Sequence, residues 1–129
     1  MKLNFMFTVA AVFLMLFGLG ALFFAPQMVA TGGQPAASSA ALMSTRFIGV
    51  EMLGLGLIAW LVRNADASKA RDAVTLGFTL YFALHALTSL YGQFTDTSTS
   101  VHWVMAAIQG LFAVGFFMAG KASMSTNAK

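Results

Sequence analysis

Four long apolar runs dominate the pattern of hydrophobic and polar positions along the chain. A helix needs about 20 apolar residues to cross the hydrocarbon core of a bilayer, and it satisfies every backbone polar group internally while doing so. The pattern therefore predicts an all-α integral membrane four-helix bundle, formed as a single transmembrane domain over residues 1–129. The predicted spans are residues 3–24, 43–62, 73–92 and 101–120.

Positively charged residues gather on one side of this four-span topology. The connecting segments on the other side, residues 25–42 and 93–100, contain no Lys or Arg, and only Arg46 lies elsewhere, just inside the second span. Because positive residues collect in cytoplasmic loops, we expect both termini to be cytoplasmic. The residues on the positive side are Lys2, Arg63, Lys69, Arg71, Lys121 and Lys129.

Composition narrows the class of protein further. The chain is 59% hydrophobic and 9% charged, with a mean hydropathy of +0.81, whereas a soluble domain carries roughly 25% charged residues. The absence of Cys excludes disulfides and thiolate metal sites. The net charge of +3 is a topology signal, and we expect no nucleic-acid partner because the basic residues form no patch interleaved with aromatics. A cleaved signal peptide is the alternative for the first span, but the run is long for one and no Ala-x-Ala site follows.

Polar residues inside the spans are the strongest functional signal. Counted from the outer ends of their spans at about 1.5 Å per residue, Glu51 and Gln109 lie roughly 12 Å deep and His85 roughly 10 Å deep. Arg46 is shallower, on the order of 5 Å. Polar residues are costly in lipid and usually face the bundle interior or a wet cavity. We therefore expect Glu51, His85 and Gln109 to converge in the outer half of the bilayer, with Arg46 as an anion partner, as a ligand-binding site.

Helical spacing assigns these polar residues to particular faces. On the third span one stripe carries His85, and on the fourth span one face carries Gln109. Arg46 and Glu51 are about 140° apart around their helix, so they are not expected to pair with each other. The stripe on the third span is Tyr81, His85, Thr88, Ser89 and Gly92, and the face on the fourth is His102, Met105, Gln109, Phe112 and Phe116.

Three roles remain open for the Glu51, His85 and Gln109 cluster. Interhelical hydrogen bonds commonly hold bundles together, so the cluster is explained by a purely structural role as well. Ligand binding in the same pocket is the second role, and proton or ion movement through a Glu51–His85 pair is the third. Glycines in the second and fourth spans are expected to allow close helix packing. These are Gly49, Gly54, Gly56, Gly110, Gly115 and Gly120.

Known catalytic and metal-binding patterns find little support. The chain contains no Gly-x-Gly-x-x-Gly, no phosphate loop and no His-Glu-x-x-His. The two histidines, His85 and His102, differ in depth by roughly 9 Å, which argues against ligation of one haem by both. Ligation of a haem or pigment by His85 alone stays open, so the cofactor is unknown. We therefore predict neither a catalytic residue nor a metal site.

Three stretches resemble the small bacterial four-helix membrane proteins described as DoxX-like. The first span ends in Phe-Phe-Ala-Pro at residues 23–26, the second carries Arg-Phe-Ile-Gly-Val-Glu-Met-Leu-Gly-Leu-Gly from Arg46, and the third carries Ala-Leu-His-Ala-Leu-Thr-Ser over residues 83–89. The resemblance implies a four-helix fold in the bacterial inner membrane. It supplies no catalytic residue.

These observations together favour a small inner-membrane accessory or binding protein. Its polar pocket would lie in the outer half of the bilayer and take an apolar small molecule, or the chain would serve as a subunit of a larger membrane complex or homodimer. The alternative is a proton-coupled carrier or membrane enzyme that uses Glu51 and His85. The lipid bilayer is the one partner that every interpretation requires.

Overall fold

The protein is helical wherever the computed structural model describes regular structure. The described residues are 2–33, 38–95 and 100–127, and none of them forms a strand. The predicted all-α class is confirmed. The helices are α1 (Leu3–Phe23), α2 (Ala25–Thr31), α3 (Ser39–Val62), α4 (Lys69–Thr95) and α5 (Val101–Asn127).

Four of these helices are long and apolar enough to cross a membrane. They are α1, α3, α4 and the segment Val101–Ser123 of α5. The shortest has 21 residues, which at about 1.5 Å per residue matches a hydrocarbon core of about 30 Å. The chain is a multi-pass membrane protein.

Two serines start helices earlier than hydropathy predicts. The side-chain oxygen of Ser38 accepts a hydrogen bond from the N–H of Ala41 at 3.2 Å, and that of Ser68 accepts one from the N–H of Arg71 at 3.2 Å. Each serine thus satisfies a backbone donor that the first helical turn leaves without a partner. As a result α3 begins four residues before its predicted span and α4 begins at Lys69.

The prediction of a loop over residues 25–42 is wrong for much of that segment. Residues 25–31 form α2, with Pro26 in its first turn, where the missing N–H of proline costs nothing and its fixed φ suits the helix. The helix ends at Gly32, and Gly33 has a φ of +92°, which favours glycine. Residues 34–37 lie outside the described part of the chain.

Two compact units divide the chain, one of Thr8–Leu61 and the other of Met1–Phe7 with Val62–Lys129. We call the first the glycine unit and the second the aromatic unit, after the residues that pack their helices. The single transmembrane domain of the sequence analysis stays a prediction.

In the glycine unit, α1 and α3 run antiparallel with their backbones in close approach. A Cβ built on Gly18 would lie 2.8 Å from the backbone oxygen of Gly49, and a Cβ on Gly49 would lie 2.8 Å from that of Gly18. Two turns further along α3, a Cβ on Gly56 would lie 2.7 Å from Cγ of Met15. No larger residue fits these positions without movement, so the glycines set the distance between the helices.

Two of the glycines expected to allow packing do not do so. Nothing among the described residues lies within 4 Å of a Cβ built on Gly54 or Gly110. The expectation is therefore wrong for these two and confirmed for Gly49, Gly56 and Gly120. The cause is helical spacing, because Gly49 and Gly56 are seven residues apart and share a face, while Gly54 lies about 140° around the helix from Gly49.

In the aromatic unit, phenylalanine rings fill the space between helices. Phe7 of α1 contacts Phe78 edge-on at a centroid distance of 5.7 Å and Phe116 at 5.1 Å. Phe116 also stacks on Phe78 at 5.4 Å, and Phe82 stacks on Phe112 at 4.6 Å. Offset-stacked and edge-to-face rings are the arrangements that the aromatic quadrupole favours.

Arg71 connects segments of the aromatic unit by hydrogen bonds at the end where α1 and α4 begin. Its guanidinium Nη2 donates to Oδ1 of Asn4 at 2.6 Å and to the backbone oxygen of Arg63 at 3.3 Å. Hydrogen bonds from a charged donor are stronger than neutral ones. A single side chain therefore joins the first turns of α4 to the start of α1, 67 residues away, and to Arg63, eight residues away.

Candidate functional site

The antiparallel pairing of α4 and α5 determines which polar groups meet inside the membrane. Phe82 stacks on Phe112, and a Cβ on Gly92 would lie 3.4 Å from the ring of His102. Of the predicted stripe of α4, Ser89 and Gly92 meet Gln109 and His102 of the predicted face of α5. Both face assignments are thus confirmed at the residues that touch.

Ser89 and Gln109 form the central contact of this interface. The hydroxyl of Ser89 donates to Oε1 of Gln109 at 3.2 Å. With its oxygen engaged, the Nε2 group of Gln109 has no partner among the described residues. The pair leaves an amide donor inside the membrane-spanning segments, where no bulk water satisfies it.

His85 lies one helical turn before Ser89 and presents the complementary group. Its Nδ1 is 3.0 Å from the backbone oxygen of Tyr81, and its ring packs on the Tyr81 ring at a centroid distance of 4.2 Å. A carbonyl oxygen only accepts hydrogen bonds, so Nδ1 is the donor and carries the proton. In the neutral ring Nε2 is then an acceptor, and no described residue bonds to it.

An acceptor on α4 therefore lies about one helical turn along that helix from the contact that leaves the Gln109 donor without a partner. A hydroxyl group is complementary to both, because it donates to an imidazole acceptor and accepts from an amide donor. The side chains of His85 and Gln109 are both half-buried, and a polar group without a partner is costly inside a bilayer, where no bulk water satisfies it. A ligand hydroxyl that bonds to these groups would remove that cost.

Arg46 and Glu51 have a different environment. Both side chains are exposed on α3 within the glycine unit. Neither forms a hydrogen bond or an ion pair with a described residue, which agrees with their predicted failure to pair on one helix. Since Glu51 and the His85–Gln109 pair belong to different units, their convergence stays a prediction.

Two polar residues of α4 were absent from the predicted site. Ser89 lay on the predicted stripe, but a lone serine on a helix gives no signal until its partner is known. Gln93 was assigned to the polar turn over residues 93–100, which is wrong for residues 93–95 because α4 continues to Thr95. Gln93 is 7% exposed, and its Oε1 has no described partner.

Gln93 extends the polar stripe of α4 toward its end. His85, Ser89 and Gln93 follow one another at intervals of four residues, so they lie on one face. The four-residue spacing is present in the sequence. The predicted span ended at residue 92, however, so Gln93 was left outside the helix. Residues 96–99 lie outside the described part of the chain.

No group of three or more His, Asp or Glu residues that could hold a metal ion occurs among residues 2–33, 38–95 and 100–127. Comparison with family models, curated proteins and solved structures gave no significant match. The function therefore has to be inferred from the geometry of the polar groups.

Proposed function

We propose that this multi-pass membrane protein is a non-catalytic binding or accessory protein that holds an apolar molecule carrying a hydroxyl group between α4 and α5. Its proposed place is the bacterial inner membrane, with both termini cytoplasmic, as the DoxX-like resemblance and the distribution of Lys and Arg suggest. In that orientation the polar groups lie in the outer half of the bilayer.

One observation carries the proposal. The Ser89–Gln109 hydrogen bond engages the amide oxygen and leaves the amide nitrogen without a described partner, and one turn before Ser89 the His85 ring has its Nδ1 already engaged. Most polar atoms that are shielded from water have a hydrogen-bond partner, so the unpartnered amide donor points to a further partner. Apolar surroundings with a few convergent polar groups are typical of small-molecule sites.

Arg46 and Glu51 remain candidate ligand-binding residues on the strength of their sequence positions. The alternative of a proton-coupled carrier or membrane enzyme using Glu51 and His85 also rests on sequence positions only. Neither is needed for the binding function proposed here.

Photo-crosslinking tests the proposal directly. Purified protein in lipid nanodiscs is labelled with a diazirine-bearing hexadecanol and, in parallel, with the matching diazirine-bearing hexadecane. We expect the alcohol to label peptides of α4 and α5 more strongly, because only the alcohol satisfies Nε2 of His85 and of Gln109.

Substitutions of the two polar groups test whether they cause the preference for the alcohol. Gln109→Leu and His85→Phe should each abolish the preference for the alcohol. Thr88→Val is the matched control, since Thr88 is the exposed neighbour of Ser89 and its hydroxyl bonds only to the backbone oxygen of Leu84. Equal labelling by alcohol and hydrocarbon in the unaltered protein, or a preference that survives Gln109→Leu, would leave a purely structural role for the cluster.

Native mass spectrometry of protein extracted gently from its own membrane complements this test. Extra mass of a small molecule, lost in Gln109→Leu and kept in Thr88→Val, supports the binding function. Extra mass that comes from other protein chains supports the accessory role instead.

A further inference from the structure

Two charged residues of α3 lie where lipid is a poor neighbour. Glu51 is near the midpoint of α3 (Ser39–Val62), a helix long and apolar enough to cross the membrane, and Arg46 lies five residues before it. Both side chains are exposed, and neither forms a hydrogen bond or an ion pair with a described residue. Charged side chains in membrane-spanning segments are costly in lipid and almost always pair with another group. A partner beyond the described residues is therefore expected to meet them.

Among the described residues, the other three spanning helices expose no Lys, Arg, Asp or Glu near their middles. Exposed positions there are mostly apolar, as at Leu16 of α1, Leu84 of α4 and Leu111 of α5. The charged residues of these helices lie toward the helix ends, and they are Lys69, Arg71, Asp72 and Lys121. Lipid by itself is a suitable neighbour for such faces, so the exposed face of α3 is the exception.

An apolar stripe runs along α3 between the two charges. Its positions recur at alternate spacings of three and four residues, as the a and d positions of a heptad do when one helix packs on another. The four large members are each more than half exposed. At the fifth, Gly54, nothing among the described residues lies within 4 Å of a built Cβ, which leaves room for a second helix. This heptad stripe consists of Phe47, Val50, Gly54, Leu57 and Leu61.

The two charges flank the heptad stripe on opposite edges. Arg46 directly precedes Phe47 and Glu51 directly follows Val50, so they occupy a g and an e position. When two parallel helices pack about a twofold axis, the g edge of each lies beside the e edge of the other, and these residues form the interhelical ion pairs. The axial offset between Arg46 and Glu51 is about 7.5 Å, which a long arginine side chain can span. The exposed face of α3 is thus complementary in charge to a second copy of itself.

From this complementarity we propose that the protein is a homodimer in which the heptad stripes of two α3 helices pack together and Arg46 of each copy forms an ion pair with Glu51 of the other. Copies of one chain share one orientation in the membrane, so their α3 helices run parallel as the pairing requires. The twofold axis forms both ion pairs at once. The proposal concerns α3 alone and does not depend on the proposed function of α4 and α5.

Disulfide crosslinking tests the position of the interface, and the chain suits it because it contains no Cys. Single-Cys variants in liposomes are oxidised with copper phenanthroline. We expect Val50→Cys and Leu57→Cys to give crosslinked dimers, because the d positions of two packed helices bring Cα atoms within the roughly 4.4–6.8 Å that a disulfide spans. Ile48→Cys is the matched control, since Ile48 is half exposed on the same helix but about 160° around it from Val50.

Three crosslinking outcomes overturn the proposal. The first is the absence of a dimer in both Val50→Cys and Leu57→Cys. The second is equal crosslinking in Ile48→Cys, which would reflect random collision. The third is a crosslink from Val50→Cys to a different protein in native membranes, which would make the heptad stripe a surface for another partner.

Energy transfer between chains measures the strength of the dimer. Lys129→Cys chains labelled with a donor or an acceptor are mixed in liposomes over a range of protein-to-lipid ratios. Glu51→Gln and Arg46→Gln should each weaken association about tenfold, because each breaks both ion pairs and leaves two charges without partners. Lys69→Gln, which removes an exposed charge from α4, is the control and should leave the transfer unchanged.

Reversal of the charges distinguishes pairing from a general effect of charge on insertion or folding. Arg46→Glu alone places two carboxylates at each contact and should weaken the dimer further. Arg46→Glu combined with Glu51→Arg should restore association, because the exchanged charges pair again. A monomer at every protein-to-lipid ratio, unchanged association in both Glu51→Gln and Arg46→Gln, or a double variant no stronger than Arg46→Glu alone, each overturns the proposal.

Discussion

The glycine unit and the aromatic unit solve the same packing problem in opposite ways. In the glycine unit the absence of side chains at Gly18 and Gly49 lets two backbones meet. In the aromatic unit large rings such as Phe82 and Phe116 fill the space between helices. Inside a bilayer lipid tails are as apolar as leucine, so helices associate through packing rather than through expulsion of water. Close backbone approach and ring stacking are two sources of such packing.

The largest loss in the free energy of unfolding is expected from a substitution in the aromatic packing. Phe116 is fully buried among Phe7, Phe78 and Phe82, whereas its neighbour Phe117 is 59% exposed. We expect Phe116→Ala to lower the free energy of unfolding by about 3 kcal/mol, because it leaves a cavity. Steric trapping in nanodiscs measures the change.

Phe117→Ala is the matched control, since it removes the same atoms from a lipid-exposed position. Its cost should stay below about 1 kcal/mol. If both variants lose the same stability, ring packing does not hold the aromatic unit together.

The next effect tests the glycine packing. Gly49→Ala places a Cβ 2.8 Å from the backbone oxygen of Gly18, and a backbone atom cannot move aside cheaply. We expect a loss of about 2 kcal/mol in the free energy of unfolding, as for overpacked cores. Gly54→Ala, on the same helix with open space around it, should change stability by no more than about 0.5 kcal/mol. A neutral Gly49→Ala would falsify the close approach of α1 and α3.

A smaller effect is expected where the aromatic unit itself uses a glycine. Gly120→Ala places a Cβ 2.9 Å from Cγ2 of Thr75, which is a side-chain atom. We expect a loss of about 1 kcal/mol, and we expect Thr75→Ser in the same chain to restore stability, because serine lacks Cγ2. Gly110→Ala, with open space around it, is the control. Failure of the double variant to recover would show that the contact does not limit the packing.

The smallest effect concerns the polar contact. Ser89→Ala removes the hydrogen bond to Gln109, and hydrogen bonds between membrane helices contribute about 0.6 kcal/mol on average. A double-mutant cycle of Ser89→Ala with Gln109→Leu measures the coupling. A coupling of several kcal/mol would favour a structural role for the pair over the binding role proposed above.

A comparison of the predicted and observed helix boundaries shows which features of the fold hydropathy can predict. Both ends of α1 agree with its predicted span to within one residue, because apolar residues occupy the whole helix. The start of α4 was missed by four residues and α2 was missed entirely. The start of α4 depends on the cap at Ser68, and α2 depends on Pro26. Both residues act through the backbone, which hydropathy does not report.

The candidate site was predictable in part. Helical spacing placed Gln109 and Ser89 on faces that do meet, so the contact follows once the two helices are known to be neighbours. The spacing could not show that the amide oxygen is the engaged atom or that Nδ1 of His85 bonds to Tyr81. It also could not separate Gly49 from Gly54, since both are glycines on one helix.

Hydropathy along the chain predicts the number and approximate position of the membrane-spanning helices. Transfer of a segment into lipid depends on the summed apolarity of about 20 consecutive residues, and that is a local property of the chain. The folded structure is needed to show which glycines carry close contacts and which polar group Ser89 bonds. Those outcomes depend on the rotation and separation of helices about their axes, which arise from contacts between residues far apart in sequence.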